Sequence, residues 1–312
     1  VYIDLNVLLL MELSMRIKKN NVIFAMSKNN PPIAQVTSGS HVVFETCDCF
    51  FDQITDETIT FNELDWNHIN PATGPIYIEE ALPGDVLKVE IKKINLTRDF
   101  AIMVTGKQLG VIGDQLTDNH IYKVPIFDNQ AILHNKIKIE LNPMIGVIGV
   151  APKGDDISCG IPCDHGGNMD CKEIKQGATL YLPVNVPGAL FALGDLHAAM
   201  GDGEVCVSGL EISGEVEVVI SVLKNSALPT PLIVNQEMIS TVASKPTLDD
   251  AAVFATKQMV NLIKQYSSLT EAEIITILSA KGDLKICQVV DPQKTCRFEI
   301  SQSLAKQLSI TI

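Results

Sequence analysis

Aromatic residues are scarce in this chain: they make up 5% of it, with a single tryptophan, Trp66. Little therefore suggests a surface built to stack bases or sugars. Basic residues are outnumbered, 24 Lys and Arg against 37 Asp and Glu, which leaves a net charge of −13. That balance argues against a nucleic-acid or anionic-membrane partner and says nothing about fold. Long apolar runs are missing as well. Val7-Leu8-Leu9-Leu10-Met11 is far shorter than the roughly twenty residues a membrane helix needs, and no basic segment or small-residue cleavage site accompanies it. No Cys-x-x-Cys pair occurs among the eight cysteines, whose closest spacings are Cys47-x-Cys49 and Cys159-x-x-x-Cys163. Scattered through a chain of enzyme size, they read as mostly buried, reduced thiols of a cytoplasmic protein rather than a disulfide framework.

Several catalytic signatures are absent too. Without Gly-x-Ser-x-Gly there is no nucleophile elbow, and the serine- and glycine-rich signature of the large amidase family is missing. Without a Walker loop or Gly-x-Gly-x-x-Gly, nucleotide chemistry has no support.

What is present is a soluble, apolar-leaning composition, with 46% hydrophobic residues in 312, ample for one large or two closely packed domains. From about residue 21 to 225 short β-branched runs dominate, among them 22–26, 41–46, 86–91, 137–141, 144–150, 179–183 and 214–220. Pro and Gly separate them at intervals typical of sandwiches and barrels. After Pro229-Thr230-Pro231 the character changes. Thr247 and Asp250 resemble a capping box ahead of a helix over 251–266. A second helix starts at Thr270 and ends by Gly282, and a strand over 284–290 follows. The expectation is a β-rich α+β chain: a leader over 1–14 that is non-native or disordered, a β-rich catalytic body over 15–225, and an α+β portion over 226–312 packed on it as one continuous unit.

Charge is concentrated in one apolar setting. Residues 194–204, Gly-Asp-Leu-His-Ala-Ala-Met-Gly-Asp-Gly-Glu, lie between Ala189–Leu193 and Val205–Val207. Carboxylates buried there need a partner, whether a metal ion, a substrate or a hydrogen-bond network. If a strand ends here, Asp195 and His197 share a face and can offer a carboxylate oxygen and an imidazole nitrogen, a set that suits zinc. Gly201-Asp202-Gly203 then forms a tight turn, and Glu204 starts the next strand, where it could pass a proton between a metal-bound water and a leaving group. The plain alternative is a hairpin whose Asp caps the turn and whose His is packed in the core. A second cluster, Cys163 to Asp170, carries Gly166 and Gly167 ahead of Asn168 and Asp170, a close backbone approach to a ligand or an ordinary turn. In a third, Asp48 could complete a metal shell or cap the following turn. Cys206 could be a nucleophile, but Val205-Cys206-Val207 reads as buried strand. His41, His68, His120 and His134 fall in no constellation.

The 194–206 segment resembles the signature of the acetamidase/formamidase family. The resemblance extends over Asn70–Ile78, Pro83–Leu87, Asn142–Pro152, Gly166–Asp170 and the C-terminal helices with 279–291. It implies a cytosolic, homo-oligomeric hydrolase, a dimer or higher, that cleaves a short-chain amide such as formamide or acetamide to a carboxylate and ammonia. It also implies a β-sandwich, jelly-roll-like body with an additional α/β portion and a C-terminal helical pair, and a divalent metal, zinc, with calcium sometimes nearby. Carried over by position, Asp195, His197 and Asp48 are the metal ligands. Glu204 is the acid/base, with Asp202 beside it in the catalytic turn, and Asn168 and Asp170 line the pocket. In the mechanism this suggests, N–H groups of Gly166 and Gly167 hold the oxyanion. Met200 stands where the family usually has Gln, so substrate choice is questioned there first, and roles for His41 and His165 stay open. Two rival readings remain: hydrolysis of another linear or cyclic amide such as a lactam, and a catalytically silent metal-binding β-protein. Rates on formamide, acetamide and a lactam separate the first, and ammonia release with and without chelator separates the second.

Overall fold

Gly214–Leu223 shows how the strands arise. Val216, Val218 and Ile220 point inward and are wholly buried, while Glu215, Glu217 and Val219 alternate toward the other face. The strand pairs antiparallel with Ser40–Thr46 on one side and Val86–Leu96 on the other. The computed structural model describes residues 15–55 and 58–312; the leader expected over 1–14 lies outside them.

Two large sheets take up nearly all of the described strands. The nine-stranded sheet runs from Met15–Ile17 through Ser40–Thr46, Gly214–Leu223, Val86–Leu96 and Thr179–Pro183. It continues without a break through Leu232–Val234, Met238–Lys245 and Lys294–Ser301 to Asp283–Gln288. Strands from beyond residue 226 therefore extend the sheet that the earlier ones begin. The eleven-stranded sheet is organised around Phe191–His197, buried at all seven positions. Met144–Gly149, also buried throughout, pairs along one edge of it. Ala72–Ile78 and then Glu211–Ile212 share the other edge. Strands covered on both faces lose the in–out alternation of half-exposed ones. The sheets meet in one core, where the Phe44 and Phe191 rings touch edge to face with centroids 5.7 Å apart.

The helix Leu248–Tyr266 begins where the Thr247 hydroxyl accepts the Asp250 N–H. Its apolar face, with Ala255, Met259 and Ile263, covers Ile239, Phe298 and Ile300 of the sheet. The reciprocal half of the expected capping box is absent: Asp250, a methylene shorter than Glu, takes the Thr247 hydroxyl instead. Helix Glu271–Lys281 has the full box, Thr270 with Glu273, and Gly282 closes it. A short third helix, Gln302–Gln307, follows the last strand. Among the described residues no helix is long and apolar enough to cross a membrane.

One expected element is not there. Val205-Cys206-Val207 is a turn rather than a buried strand, with Val205 55% exposed and Val207 at φ +82°. Glu204, expected to open that strand, lies in the left-handed region at φ +48°. The Val207 N–H closes locally onto the Glu204 carbonyl, so the backbone turns back on itself instead of joining a ladder.

Candidate active site

Strand pairing brings the first carboxylates together. Ile145 faces Leu196 and Val147 faces Gly194, so the register sets Gly146 opposite Asp195. Asp195 leaves the β region, at φ +56°. A Cβ on Gly146 would stand 2.5 Å from Asp170 Oδ1 and 2.7 Å from Asp195 Oδ2. The missing side chain at 146 is what lets the two carboxylates converge. Gly209 does the same for the imidazole, since a Cβ there would lie 2.7 Å from His197 Nδ1.

His197 Nε2 is the hub. It lies 3.1 Å from Glu211 Oε1, 3.6 Å from Asp195 Oδ1 and 3.7 Å from Asp170 Oδ1. Three sets of donor atoms lie close enough to share one ion: Cys49, Asp195 and Glu211; Asp170, Asp195 and His197; and His197, Glu204 and Glu211. All six residues are buried. Neutral donors are few. Asn70 Nδ2 donates to Asp195 Oδ2 at 3.2 Å, Asn168 Nδ2 to Asp291 Oδ2 at 3.1 Å, and the Gly209 N–H to Glu211 Oε1 at 2.8 Å. Both Asp170 oxygens, Asp195 Oδ1, Glu211 Oε2, His197 Nδ1 and Asn168 Oδ1 are buried without a hydrogen-bond partner.

The electrostatics follow from that crowding. Burial, then the Asp291 charge, push Asp170 well above the usual carboxylate range. Burial and Asp170 do the same to Glu204, and burial and Glu204 to Asp291. Glu211 rises to about 7, again chiefly by burial, against the pull of His197. On His197 burial opposes the charged ring, but Glu211 and Asp195 outweigh it and its pKa rises well above the ordinary value. Undercompensated acidic groups around one imidazole are what a bound cation would balance.

The cluster opens into a cavity of about 490 Å³, lined by Asn168, Asp195, His197, Glu204, Glu211 and Asp291 together with apolar side chains. Of the residues expected from the sequence, Asp195, His197, Glu204 and Asn168 line this cavity, and Asp170 joins the buried cluster without lining it. Asp48 does neither. Its buried carboxylate is held by Arg98 at 2.8 Å and by the N–H groups of Phe50 and Asp52, which leaves it committed elsewhere. Burial, with the neighbouring Asp52 charge, raises it to about 6 in spite of Arg98. Asp202 also faces away, paired with both terminal nitrogens of Arg297 at 2.7 and 3.0 Å and with Lys172 at 2.9 Å. It anchors the turn that carries Glu204 rather than reaching the cavity.

Gly166 and Gly167 do not line the cavity either. The Gly166 N–H is spent on the Cys163 carbonyl, so it is not available to an oxyanion. Their positive φ values, +96° and +86°, serve close packing instead: a side chain at 166 would run into the Ile148 carbonyl, and one at 167 into that of Ile161. Cys206 lies in the turn beyond Glu204, bonded to Ser208 and outside the cluster. Residues not foreseen are Glu211, Asp291, Cys49, Asn70 and Gly146. Glu211 carried a signal, a carboxylate between Leu210 and Ile212; the others come from distant segments.

The sequence profile of the acetamidase/formamidase family matches residues 15–158 and 159–297. The chain belongs to the acetamidase/formamidase family. An acetamidase of Bacillus halodurans has the same fold, with a TM-score of 0.92 and 44% identity over 94% of this chain and 99% of that one. A Thermoanaerobacter tengcongensis protein described as a predicted acetamidase/formamidase gives 0.93 and 44%, over 96% and 99%. A Schizosaccharomyces pombe relative, provisionally named a formamidase, is 26% identical over 257 residues, spanning 62% of this chain and 62% of that curated relative's length. Within this acetamidase/formamidase chain Met200 does not line the cavity of the cluster. It lines a second cavity of about 520 Å³ behind the Glu204 turn, where Glu204 is again part of the wall.

Proposed function

We propose that this protein hydrolyses a primary, short-chain amide of the formamide or acetamide type to a carboxylate and ammonia, with a divalent metal at its site. The observation that carries the reading is the buried cluster of Asp170, Asp195, His197, Glu204 and Glu211 with carboxylate oxygens left without donors. Those orphaned oxygens fit a cation, and the mixed carboxylate and imidazole set, with a thiol within reach, favours zinc over calcium. Asp195, His197 and Glu211 would hold it, with Asp170 or Cys49 completing the set. Bound there, the metal would act as a Lewis acid and lower the pKa of water.

The chain's own residues supply the proton traffic and the positioning. Glu204, held well above the usual carboxylate range, is suited to take a proton from the attacking water and return it to the departing nitrogen. Asn168 Oδ1, buried and unpaired, would accept an N–H of the substrate amide while its Nδ2 stays on Asp291. Asn70 fixes the orientation of the Asp195 carboxylate.

Coarser features support the rest of the reading. The two large sheets are read as the layers of a β-sandwich, with the two consecutive helices as a pair on its C-terminal part. The unbroken nine-stranded sheet supports one continuous unit made of residues 15–225 and 226–312. Eight unpaired cysteines suit a reducing, cytoplasmic setting, and a homo-oligomer follows from the family resemblance. The decisive experiment is Glu204→Gln. Turnover of formamide and acetamide should fall about 10²–10⁴-fold with metal content retained, and near-normal turnover would remove Glu204 from the mechanism.

A further inference from the structure

Few as the aromatic residues are, Phe24, Phe50 and Trp66, the chain's one tryptophan, all line the cavity above the acidic cluster. Ile69, Ile161 and Pro292 continue this apolar wall. The wall is braced. Trp66 Nε1 is spent on the Phe61 carbonyl at 3.2 Å and its ring rests against Phe61, centroids 4.4 Å apart. With its one polar atom satisfied, and 39% of its surface still exposed, the indole offers the cavity an apolar face. Phe24 is fixed edge-on by Phe51 at 5.3 Å and by His68 at 4.7 Å.

The cavity is also larger than the smallest amides need. Acetamide fills about the liquid volume of three or four waters, on the order of 100 Å³, against about 490 Å³. An apolar surface held open above a polar floor loses free energy to hydration until an apolar group covers it.

We propose that this wall is an acyl subsite, and that the protein turns over primary amides with medium-chain aliphatic or arylacetyl groups more efficiently than formamide or acetamide. The inference rests on the reading of the cluster as an amide-hydrolysing centre. In the reaction water adds to the carbonyl, the C–N bond breaks with its electron pair leaving on nitrogen, which takes up the water's protons, and the longer carboxylate and ammonium are released.

The test is kcat/KM of the metal-loaded protein on formamide, acetamide, butyramide, hexanamide and phenylacetamide, read by ammonia release. Each methylene that enters the wall should raise kcat/KM by up to about fourfold. In Trp66→Ala the ratio of hexanamide to acetamide should fall by about tenfold. Hexanoate and phenylacetate should inhibit the unaltered protein at lower concentration than acetate, a measurement that needs no variant to fold. Turnover of formamide and acetamide with a flat or falling profile for longer acyl groups would overturn the subsite and leave the amidase reading intact. No ammonia from any of the five amides would overturn the amidase reading itself.

Discussion

Replacing Arg297 by Met tests whether one buried guanidinium holds the Glu204 turn in place. The Arg297 side chain is 3% exposed and makes two bonds to Asp202, one to Glu299 at 3.1 Å and one to Cys287 Sγ at 3.6 Å. Asp202 sits two residues before Glu204, and Lys172, its other partner, two residues after Asp170. Its pKa is lowered because Arg297 and Lys172 outweigh the effect of burial. Removing one partner of a buried pair typically costs about 3–5 kcal/mol. Asp202 and Glu299 keep 27% and 19% of their side chains in water, and Lys172 stays, so the cost falls to the foot of that range or below it. About 2–3 kcal/mol is expected, which for a chain of this size lowers the melting temperature by roughly 3–5 °C. Arg297→Lys keeps the charge but not the planar fork and should recover only part of the loss. Calorimetry gives the stability, and ammonia release below the melting range should show kcat falling more than KM rises, since the turn carries a proton-transfer group. Melting of the Met variant within about 1 °C of the unaltered protein, or full rescue by Lys, would refute the anchoring argument.

Other perturbations follow from the same geometry. His165 is buried with both ring nitrogens unpartnered, and burial lowers its pKa from 6.5 to about 4 against the Asp164 charge. The unfolded chain takes up that proton first, so the stability tied to the neutral ring is complete above about pH 6.5 and drains away as pH falls toward 4. Urea unfolding of His165→Phe should show a flatter acid slope, and an unchanged slope would discount the effect. Gly146→Ala drives a methyl between Asp170 and Asp195, so metal content by elemental analysis and ammonia release should fall together while circular dichroism holds. Stripping the metal with a chelator should abolish turnover and lower the melting temperature, and added zinc should restore both. A loss of turnover with no change in melting would place the metal outside the cluster.

The buried acidic cluster is legible in the sequence where its physics is local. Asp195, His197 and Glu204 lie in one segment between apolar runs, and a buried charge stands out against such a background. Both long C-terminal helices announced themselves through Thr247 and Thr270. Asp48 and Asp202 misled because a carboxylate in an apolar stretch looks the same whether a metal or an arginine answers it. Their arginines, Arg98 and Arg297, stand 50 and 95 residues away. Asp291 and Asn70 come to the cavity through pairings that no periodicity encodes, and Gly146 matters only through the atoms it lacks. The Val205–Val207 turn shows the reverse failing, in which a short apolar run reads as a strand although its backbone closes on itself.

Arg297 also sets a timetable. The carboxylates of the Asp170 and Asp195 segments are made well before the arginine that clamps the Glu204 turn, and before Asp291, which joins them at the cavity. On the ribosome a nascent chain reaching only Glu211 would already carry most of the acidic cluster, yet neither the clamp nor the sheet strand that bears it. Contacts of such long sequence separation carry a loop-closure cost that local ones do not. The turn that carries Glu204 therefore gains its arginine clamp only once the C-terminal strand is made, and a chain halted before Arg297 would hold the acidic residues without the side chain that anchors that turn.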